Sequence, residues 1–480
     1  EQHRTIQLMA ADSYLSKATS SGGNQKTFTV SAWVRQSMVV SNARHIVGSD
    51  VEDDGANYCH FSIETDGTLK FLALASSSII ANIVSVPKFI DTTAFYHLVL
   101  RCDTTQSTAA DRVRIYVNGS QVTALTYHTT PSQNDDLGLF KSGSATLIGA
   151  RHPSSSPNFF EGEMGMVCIA DGASLAPTVF GETDSTTGIW KPILSPTFTA
   201  GTNGAMLKFE NSGALGTDSK GSNNFTVNGN LKQSNSTASN KFPALNPRGT
   251  HADYDGSNYN LHAGHTALMT TGINRPAPID MCFQGGKWYW ECKIEKANNS
   301  STLGVYMTDF SSPKRIEQFN ADLALQSAAN GGKRAVSFLT SASSSQIQNA
   351  GSTVTYGANC SDGDIIMFAF DSATGKVWTG RNGTWNNAPG TSNVGDPAAG
   401  TNDSGTVLTN TDNDLMSFYI SGRASDSTNR YMYINFGHGY FGTTAVASAN
   451  ADGNGEGAFE YAPPTGFLAL CSKNIQSDGG

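Results

Sequence analysis

The sequence predicts an all-β protein made of two tandem antiparallel β-sandwiches joined by an irregular connector. Charged residues make up only 15% of the 480 residues, whereas soluble domains typically carry about 25%. Glycine is abundant instead, with 49 residues. Short apolar runs with a period of two recur along the chain and are separated by Asn-Gly, Asp-Gly and similar turns. Helical periodicity sustained over a dozen residues is hard to find. Together these observations favour many short strands.

Residues 1–210 contain the strands of the first predicted sandwich. Asn118-Gly119 and Asp66-Gly67 each lie between two apolar runs, which is a strong hairpin signal. The best helical candidate, 174–182, is one or two turns at most. The remaining runs alternate as expected of half-buried strands. Predicted strands and hairpins of this half are 27–35, 60–74, 112–122, 145–151 and 162–171.

Residues 211–250 are small and polar with few apolar anchors, so we expect an irregular connector on the surface with one short strand near "NFTVNGN". Strand signals resume in residues 251–480, the second predicted sandwich. Residues 386–413 lack a strand pattern and are predicted to form a long exposed loop. Predicted strands and hairpins of this half are 287–296, 302–309, 334–340, 363–385, 415–422, 430–437 and 459–472.

The aromatic residues of the stretch "GKWYWECKI" could either bind a ligand or fill a core. Alternation places Trp288, Trp290 and Cys292 on one face of a strand and Tyr289 and Glu291 on the other. A cysteine in line with two tryptophans is typical of a core face and not of an exposed binding platform. We therefore predict that both tryptophans are buried.

Composition excludes several functional classes. The net charge is −9 and no basic run occurs, so we expect no nucleic-acid partner. No run of about 18 apolar residues occurs, so no membrane span is expected. The seven cysteines show no CxxC spacing and are predicted to be small buried thiols, which fits assembly in a reducing compartment. No secretory signal is seen at the start of this sequence.

Specific residues of the first half then indicate a family. The runs "TFTVSAWVRQ", "RVRIYVNGSQV" and "FFEGEMGMVCIADGASLAPTVFGETDSTTGIWKP" resemble the laminin-G-like, concanavalin-type modules of tailed-bacteriophage structural proteins, marine phages especially. The block from Phe180 to Pro192 is its most distinctive part. The connector piece "NKFPALNP" resembles the segment that joins such a module to a second one. The resemblance implies concanavalin-like jelly rolls.

The second half resembles a SPRY domain through "GKWYWE", "LGVYM", "GDIIMFAFDSATGKVWTGRNG", "YINFG" and "YAPPTGFLAL", in that order. Together the resemblances imply a virion protein, assembled in the host cytoplasm, that is a fibre or other appendage subunit and not an enzyme. Its expected partners are tail, portal or capsid proteins and host-surface polysaccharide. Because fibres are usually homotrimers, the chain is expected to form a homo-oligomer, with a trimer favoured, although no heptad repeat occurs here. The alternatives are a capsid decoration protein and a secreted carbohydrate-binding or carbohydrate-active protein.

Metal and catalytic candidates each have a simpler alternative. Laminin-G-like modules sometimes hold Ca²⁺, and Asp50, Asp53 and Asp54 offer suitable oxygen ligands, but Asp-Asp-Gly is also an ordinary turn. No other cofactor is expected. Glu161 and Glu163 are the best carboxylate pair for glycoside hydrolysis, and an exposed alternating strand would explain them equally.

A second set of possible metal ligands lies just after the connector. His251, Asp253 and Asp255 are spaced to share one face of an extended strand, and His262 and His265 follow shortly after. Imidazole and carboxylate groups at this spacing are able to bind a transition metal. A polar loop explains the same residues.

Glycan binding is the remaining function. Proteins bind sugars with exposed aromatic rings and with amide, carboxylate or guanidinium groups, and such sites lie on loops at one end of a sandwich. The candidate residues are Arg381, Trp385, Asn386 and Asn387 in "RNGTWNNAPGTSN", with Arg423 and Tyr440 on other loops. The alternative for Trp385 is that its ring packs back onto its own hairpin.

Overall fold

The chain folds into two compact units, unit 1 over Glu1–Ser239 and unit 2 over Asn240–Gly480. Nearly all strand pairs in both units are antiparallel, and their sheets pack around apolar cores, which confirms the predicted all-β sandwich class. The computed structural model describes residues 4–8, 13–37, 42–51, 56–151, 158–185, 188–246, 259–262, 266–270, 275–297, 301–307, 335–349, 352–408, 410, 414–422 and 430–476.

The strands of unit 1 are numbered in chain order. They are β1 Thr5–Leu8, β2 Tyr14–Ala18, β3 Thr27–Gln36, β4 Arg44–Val51, β5 Tyr58–Ile63, β6 Thr68–Ala75, β7 Ser78–Lys88, β8 Tyr96–Asp103, β9 Val113–Val117, β10 Ser120–Gln121, β11 Leu125–Thr129, β12 Ser144–Ile148, β13 Gly162–Asp171, β14 Gly181–Thr183, β15 Trp190–Pro192, β16 Ala205–Leu207, β17 Thr226–Asn228 and β18 Leu231–Ser234. Short 3₁₀ turns occur at Ala109–Asp111 and Pro177–Val179, the second inside the predicted helical segment.

Two sheets form the sandwich of unit 1. Sheet A has the order β10-β9-β8-β3-β13-β1-β18, with β16 beside β13, and sheet B has the order β11-β7-β6-β5-β4-β12-β2-β17. Alternate residues of β3, among them Phe28 and Val34, face a core that also holds Phe61 and Phe71 of sheet B. The predicted Asn-Gly hairpin is confirmed, because Asn118 and Gly119 have φ values of 48° and 80°.

The other face of β3 is also buried, under the segment that follows β13. Trp33 belongs to a second apolar cluster that includes Phe180, Phe198 and Met206. Residues 180–185 and 188–192 of the distinctive block therefore form a covering layer over sheet A, with β14 paired to β15.

Trp190 fixes this covering layer to sheet A. Its Nε1–H donates to His97 Nδ1 at 2.9 Å, and the His97 ring stacks on Trp33 with centroids 4.6 Å apart. Since Nδ1 accepts, His97 is neutral and its Nε2–H donates to Ser31 Oγ at 2.8 Å. A Cβ at Gly181 would lie 2.6 Å from the Trp190 ring, so only glycine allows this close packing.

The predicted connector divides between the two units. Residues 211–239 lie in unit 1, where β17 pairs with β2 and β18 pairs with β1, whereas residues 240–246 lie in unit 2. Buried Asp218 holds the irregular part: its carboxylate accepts the N–H groups of Met206 at 2.9 Å and Asn223 at 3.0 Å. These hydrogen bonds to the Asp218 carboxylate hold the connector in place, in a segment that has few apolar side chains to do so.

The strands of unit 2 continue the numbering. They are β19 Tyr259–His262, β20 Ala267–Thr270, β21 Arg275–Pro278, β22 Lys287–Ile294, β23 Ser301–Met307, β24 Ala335–Thr340, β25 Gln346–Asn349, β26 Ser352–Thr355, β27 Ile365–Asp371, β28 Lys376–Arg381, β29 Thr384–Trp385, β30 Met416–Gly422, β31 Arg430–Asn435, β32 Tyr440–Phe441, β33 Thr444–Ala445 and β34 Leu468–Ala469. One helical turn, α1, spans Ser472–Asn474.

Two sheets again enclose a core. Sheet C has the order β19-β20-β31-β22-β27-β28-β29, with β34 parallel to β22, and sheet D has the order β21-β30-β23-β24-β25-β26. Trp288, Trp290 and Cys292 are fully buried in the core between these sheets, which confirms the prediction for this strand.

The opposite face of β22 is buried as well. Tyr289 packs in a separate cluster with Phe459 and Trp378, so the segment after β31 covers sheet C. Glu291 has no exposed surface, and its carboxylate accepts hydrogen bonds from Tyr289 Oη at 2.9 Å and from the N–H of Tyr461 at 2.8 Å. Burial raises the pKa of Glu291 to about 7, against the effect of these hydrogen bonds.

Two sequence predictions concern the whole chain. All seven cysteines are free; six are buried as predicted, and Cys282 is exposed. Within the ranges given above, no helix is long and apolar enough to cross a bilayer.

Candidate functional site

A polar groove of about 610 Å³ lies on unit 2, next to the hairpin formed by β28 and β29. It brings together four of the residues predicted to bind glycan. The groove is lined by Thr355, Tyr356, Gly357, Ala358, Arg381, Asn382, Thr384, Trp385, Asn386, Asn387, Ala388, Pro389, Gly390 and Thr391.

The Asn382-Gly383 turn positions one wall of the groove. Asn382 and Gly383 have φ values of 48° and 84°, as the predicted hairpin requires. Asn382 Nδ2 donates to Asp364 Oδ1 at 2.7 Å, and its Oδ1 accepts the Ile365 N–H at 2.9 Å. The NH₂ group and the oxygen of the Asn382 amide are thus both hydrogen-bonded within the protein. Asn382 therefore stabilises the turn and offers a ligand only its exposed surface.

Asn386 joins the two walls. Its Nδ2 donates to Thr379 Oγ1 at 2.8 Å, and its Oδ1 accepts the Ala358 N–H at 3.4 Å. Tyr356 lies beside it, and burial raises the pKa of Tyr356 to about 12, so its hydroxyl stays protonated. Asn386 was predicted to bind the ligand, but its buried amide is committed to holding the 355–358 segment against the hairpin.

Gly357 makes the close approach of the walls feasible. Its φ is +85°, and a Cβ there would lie 2.5 Å from Asn386 Nδ2. We expect Gly357→Ala to lower the free energy of unfolding of unit 2 by about 1–3 kcal/mol, because it adds both backbone strain and a clash. Urea unfolding would measure this. Gly390→Ala is the matched control, since Gly390 has a φ of +71° and nothing within 4 Å of the added Cβ. An equal loss in both variants would mean that the clash with Asn386 contributes nothing.

Trp385 borders the groove, but its ring packs onto sheet C and onto the segment after β31 that covers this sheet. The ring is half-buried beside the cluster of Tyr289 and Phe459, with its centroid 6.3 Å from that of Tyr289. Trp385 pairs with Gly380 across the hairpin, whereas Arg381 pairs with Thr384, so the Trp385 and Arg381 side chains leave on opposite faces. The ring is thus partly packed, but against Tyr289 of β22 and the Phe459 cluster and not only against its own hairpin.

Three exposed polar side chains of the groove have no hydrogen-bond partner within the described ranges: Asn387, Thr355 and Thr384. Asn387 was predicted as a site residue. The two threonines were not, because Thr355 ends β26, about 30 residues before the loop. The only sequence signal was "TYG", a strand end followed by the glycine that the wall requires.

The other predicted glycan and metal residues lie elsewhere. Tyr440 is half-exposed in β32 and does not line the groove. Arg423, Asp53 and Asp54 lie outside the described residues, and Asp50 lies in β4, where it pairs with Tyr58 of β5 and Ala145 of β12. No set of three or more metal-ligating side chains occurs among the residues that the structure describes.

The second proposed metal set has the same outcome. Residues 251–258 and 263–265 lie outside the described residues, so His251, Asp253, Asp255 and His265 do too. His262 is the last residue of β19.

The two carboxylates of the predicted pair, Glu161 and Glu163, have different surroundings. Glu163 is buried and forms an ion pair with Arg35, whose Nη2 lies 2.7 Å from Glu163 Oε2. Glu163 Oε1 accepts a hydrogen bond from Ser234 Oγ at 2.9 Å. Glu161 is half-buried; burial raises its pKa and Arg44 opposes that rise. Glu163 is thus committed to an internal pair and does not sit on an exposed strand face.

Comparison with known proteins concerns the fold. No curated protein sequence matches the chain. Solved structures similar to it include the PSpry domain of TRIM65 (12% identity, 40% of this chain and 92% of that chain, TM-score 0.27) and the SPRY domain of human HERC1 (16%, 40%, 96%, 0.25). A heptameric SAP-like pentraxin from Limulus polyphemus is another (15%, 37%, 79%, 0.28).

One family model matches part of the chain. Residues 10–179 match the model described as the concanavalin A-like lectin/glucanases superfamily. The match covers most of unit 1 and includes strands of both its sheets. Unit 1 therefore carries a concanavalin A-like module, in a chain built of antiparallel β-sandwiches.

Proposed function

We propose that this chain is a non-catalytic attachment protein that binds a glycan in the groove of unit 2. The observation that carries the proposal is the chemistry of the groove, in which uncommitted amide and hydroxyl groups of Asn387, Thr355 and Thr384 face solvent. Pockets for small apolar ligands are lined mainly by hydrophobic side chains. A polar, open groove of this kind suits a ligand rich in hydroxyl groups.

The walls of the groove are preorganised. Asn386 ties the 355–358 segment to the hairpin, and Asn382 is fixed by two hydrogen bonds of its side chain. Rigid walls lower the entropy that binding has to overcome. The ligand-facing side chains therefore project from a supported frame, as in binding sites placed on turns of a sandwich.

The proposed biological setting is a phage virion, with the chain in a fibre or another appendage that docks on neighbouring virion proteins. The support for this setting is the sequence resemblance of residues 1–210 to modules of phage structural proteins. A non-catalytic role is supported by the engagement of Glu163 with Arg35 and Ser234, which takes it out of an acid–base pair. Electron microscopy of the intact particle, with the chain located in the density, tests the setting independently of the ligand.

The groove is tested by Asn387→Ala in the full chain. We expect binding to a recognised polysaccharide to weaken about three- to tenfold, the usual effect of losing one uncharged hydrogen-bonding group. The melting temperature should hardly change, since the Asn387 side chain is exposed and makes no hydrogen bond in the described structure. Calorimetric titration after a polysaccharide screen would measure both.

Asn230→Ala is the matched control, since Asn230 is an exposed asparagine of unit 1 far from the groove in sequence. Unchanged affinity in Asn387→Ala, or no affinity of the wild-type chain for any polysaccharide, would contradict the proposed site. Size-exclusion chromatography of the polymer after incubation tests the non-catalytic role: a fall in chain length would show that the protein is an enzyme.

A further inference from the structure

Arg381 gives the groove a positive charge. Within the described part of the chain, it is the one charged residue among those that line the groove. Its side chain is 35% exposed, so the guanidinium remains accessible to a ligand. Since the chain has a net charge of −9, a general attraction for polyanions is not expected, and any such preference has to come from a local site.

The guanidinium is held in place through one nitrogen. Arg381 Nη1 donates to the Asn359 carbonyl oxygen and lies 3.4 Å from Asp364 Oδ2. Asp364 already accepts closer hydrogen bonds from Asn382 Nδ2 at 2.7 Å and from the Ser361 N–H at 2.8 Å. Asp364 therefore orients Arg381 through an ion pair at 3.4 Å, and the same carboxylate is shared with Asn382 and Ser361.

The Nε–Nη2 edge of Arg381 makes no hydrogen bond to the described residues. Two parallel N–H groups along this edge match the two oxygens of a carboxylate. Thr384, which is paired with Arg381 across the hairpin, and Asn387 supply uncommitted polar groups on the same groove. The groove thus combines one carboxylate-binding edge with groups suited to sugar hydroxyls.

We propose that the groove binds an acidic saccharide, with a uronic acid carboxylate on the Nε–Nη2 edge of Arg381 and hydroxyl groups of the sugar on Asn387 and Thr384. This inference rests on the proposed glycan-binding function and names the ligand class. Arginine is preferred over lysine at such a site because its planar fork binds both carboxylate oxygens at once, whereas an ammonium binds as a point charge.

The test uses the full chain and three defined probes: sodium alginate as a carboxylated polymer, dextran as a neutral one and dextran sulfate as a sulfated one. We expect alginate to bind best. Arg381→Gln should weaken alginate binding at least tenfold, and Arg381→Lys should restore only part of the loss. In the wild-type chain, free glucuronate should compete with alginate and glucose should not. This competition does not depend on how well a variant folds.

The outcomes separate the two proposals. Binding of dextran that depends on Asn387 but not on Arg381, without preference for alginate, would overturn the acidic-saccharide inference and leave glycan binding intact. Equal, Arg381-dependent binding of dextran sulfate would also overturn the assignment to a carboxylate. No binding of any probe or of any other polysaccharide would overturn both proposals.

Discussion

Replacing Glu163 by alanine is expected to destabilise unit 1 by about 3–5 kcal/mol, because it removes the carboxylate that pairs with the buried guanidinium of Arg35. The pair is almost fully buried, with side-chain exposures of 4% for Arg35 and 1% for Glu163. Arg35 Nε and Nη2 both reach Glu163 Oε2, at 2.8 and 2.7 Å. Since a typical domain is stable by about 5–15 kcal/mol, the variant would lose a large share of its margin.

Denaturant unfolding of the full chain would measure this loss. Lys88→Ala is the matched control, because Lys88 and Asp66 form an ion pair at 3.5 Å whose side chains are more than half exposed. Exposed pairs contribute little, so the control should change stability by less than about 1 kcal/mol. The double variant Arg35→Met with Glu163→Leu should recover much of the loss, since two apolar side chains leave no buried charge. An equal cost in Glu163→Ala and the double variant would show that shape, and not charge, matters at this position.

The strand pattern predicted most of the sheets because period-two alternation directly reports which residues face a core. Phe28 and Val34 of β3 and Trp288 and Trp290 of β22 lie in the cores as expected. Alternation did not predict that the opposite faces are also buried. Whether a second segment covers a strand face depends on distant parts of the chain. Polar residues such as Glu291 make a buried face look exposed in the sequence, because they form hydrogen bonds with the covering segment.

The candidate site was predicted only in part, because one of its walls comes from a distant part of the chain. Arg381 and Asn387 are near neighbours in sequence, so one loop-based argument placed them together, and both line the groove. Thr355 comes from another strand, and its proximity results from the pairing of Asn386 with the 355–358 segment. The commitment of the Asn386 amide to protein partners was likewise not predictable, since local sequence does not show which polar groups find a partner.

Acidification is expected to destabilise unit 1 strongly, because three buried histidines are held neutral. Burial lowers the pKa of His97 to about 3, that of His45 to about 4 and that of His60 well below its usual range. Nearby Arg151 and Lys70 add to the effect at His45 and His60.

The sign follows from linkage. A histidine whose folded pKa is depressed contributes its full stability above about pH 6.5 and loses it as the pH falls toward the folded pKa. His97 and His45 each lose about 1.4 kcal/mol per pH unit below this point, so the two together cost roughly 4 kcal/mol at pH 5, and His60 acts in the same direction. The half-buried Glu161, whose pKa is raised, offsets a small part. Unit 1 is therefore expected to unfold near pH 5.

Glu291 gives unit 2 the opposite dependence. Its pKa is raised to about 7 in the folded chain, so its protonation favours the folded state. This contribution is fully present below about pH 4.5 and is lost as the pH rises through 7, which amounts to about 3 kcal/mol between these limits. Glu291→Gln removes the titrating group, so the stability of unit 2 should depend less on pH in this range. The variant should also be less stable, because the NH₂ group of the glutamine would face hydrogen-bond donors that the carboxylate accepts.

Calorimetry of the full chain at pH 8, 6.5 and 5, with limited proteolysis to assign each transition, tests both halves of the prediction. The sharpest variant is His60→Phe. The His60 ring packs 4.5 Å from that of His45, and its Nδ1 has no hydrogen-bond partner in the described structure, so phenylalanine removes a titrating group without breaking a hydrogen bond at Nδ1. We expect this variant to resist acid better than wild type, whereas His128→Phe, at an exposed position, should not. If both units lost stability together on acidification, and His60→Phe left the acid transition of unit 1 unchanged, then the buried rings would not control the response, and acid loss would have to arise from the paired carboxylates instead.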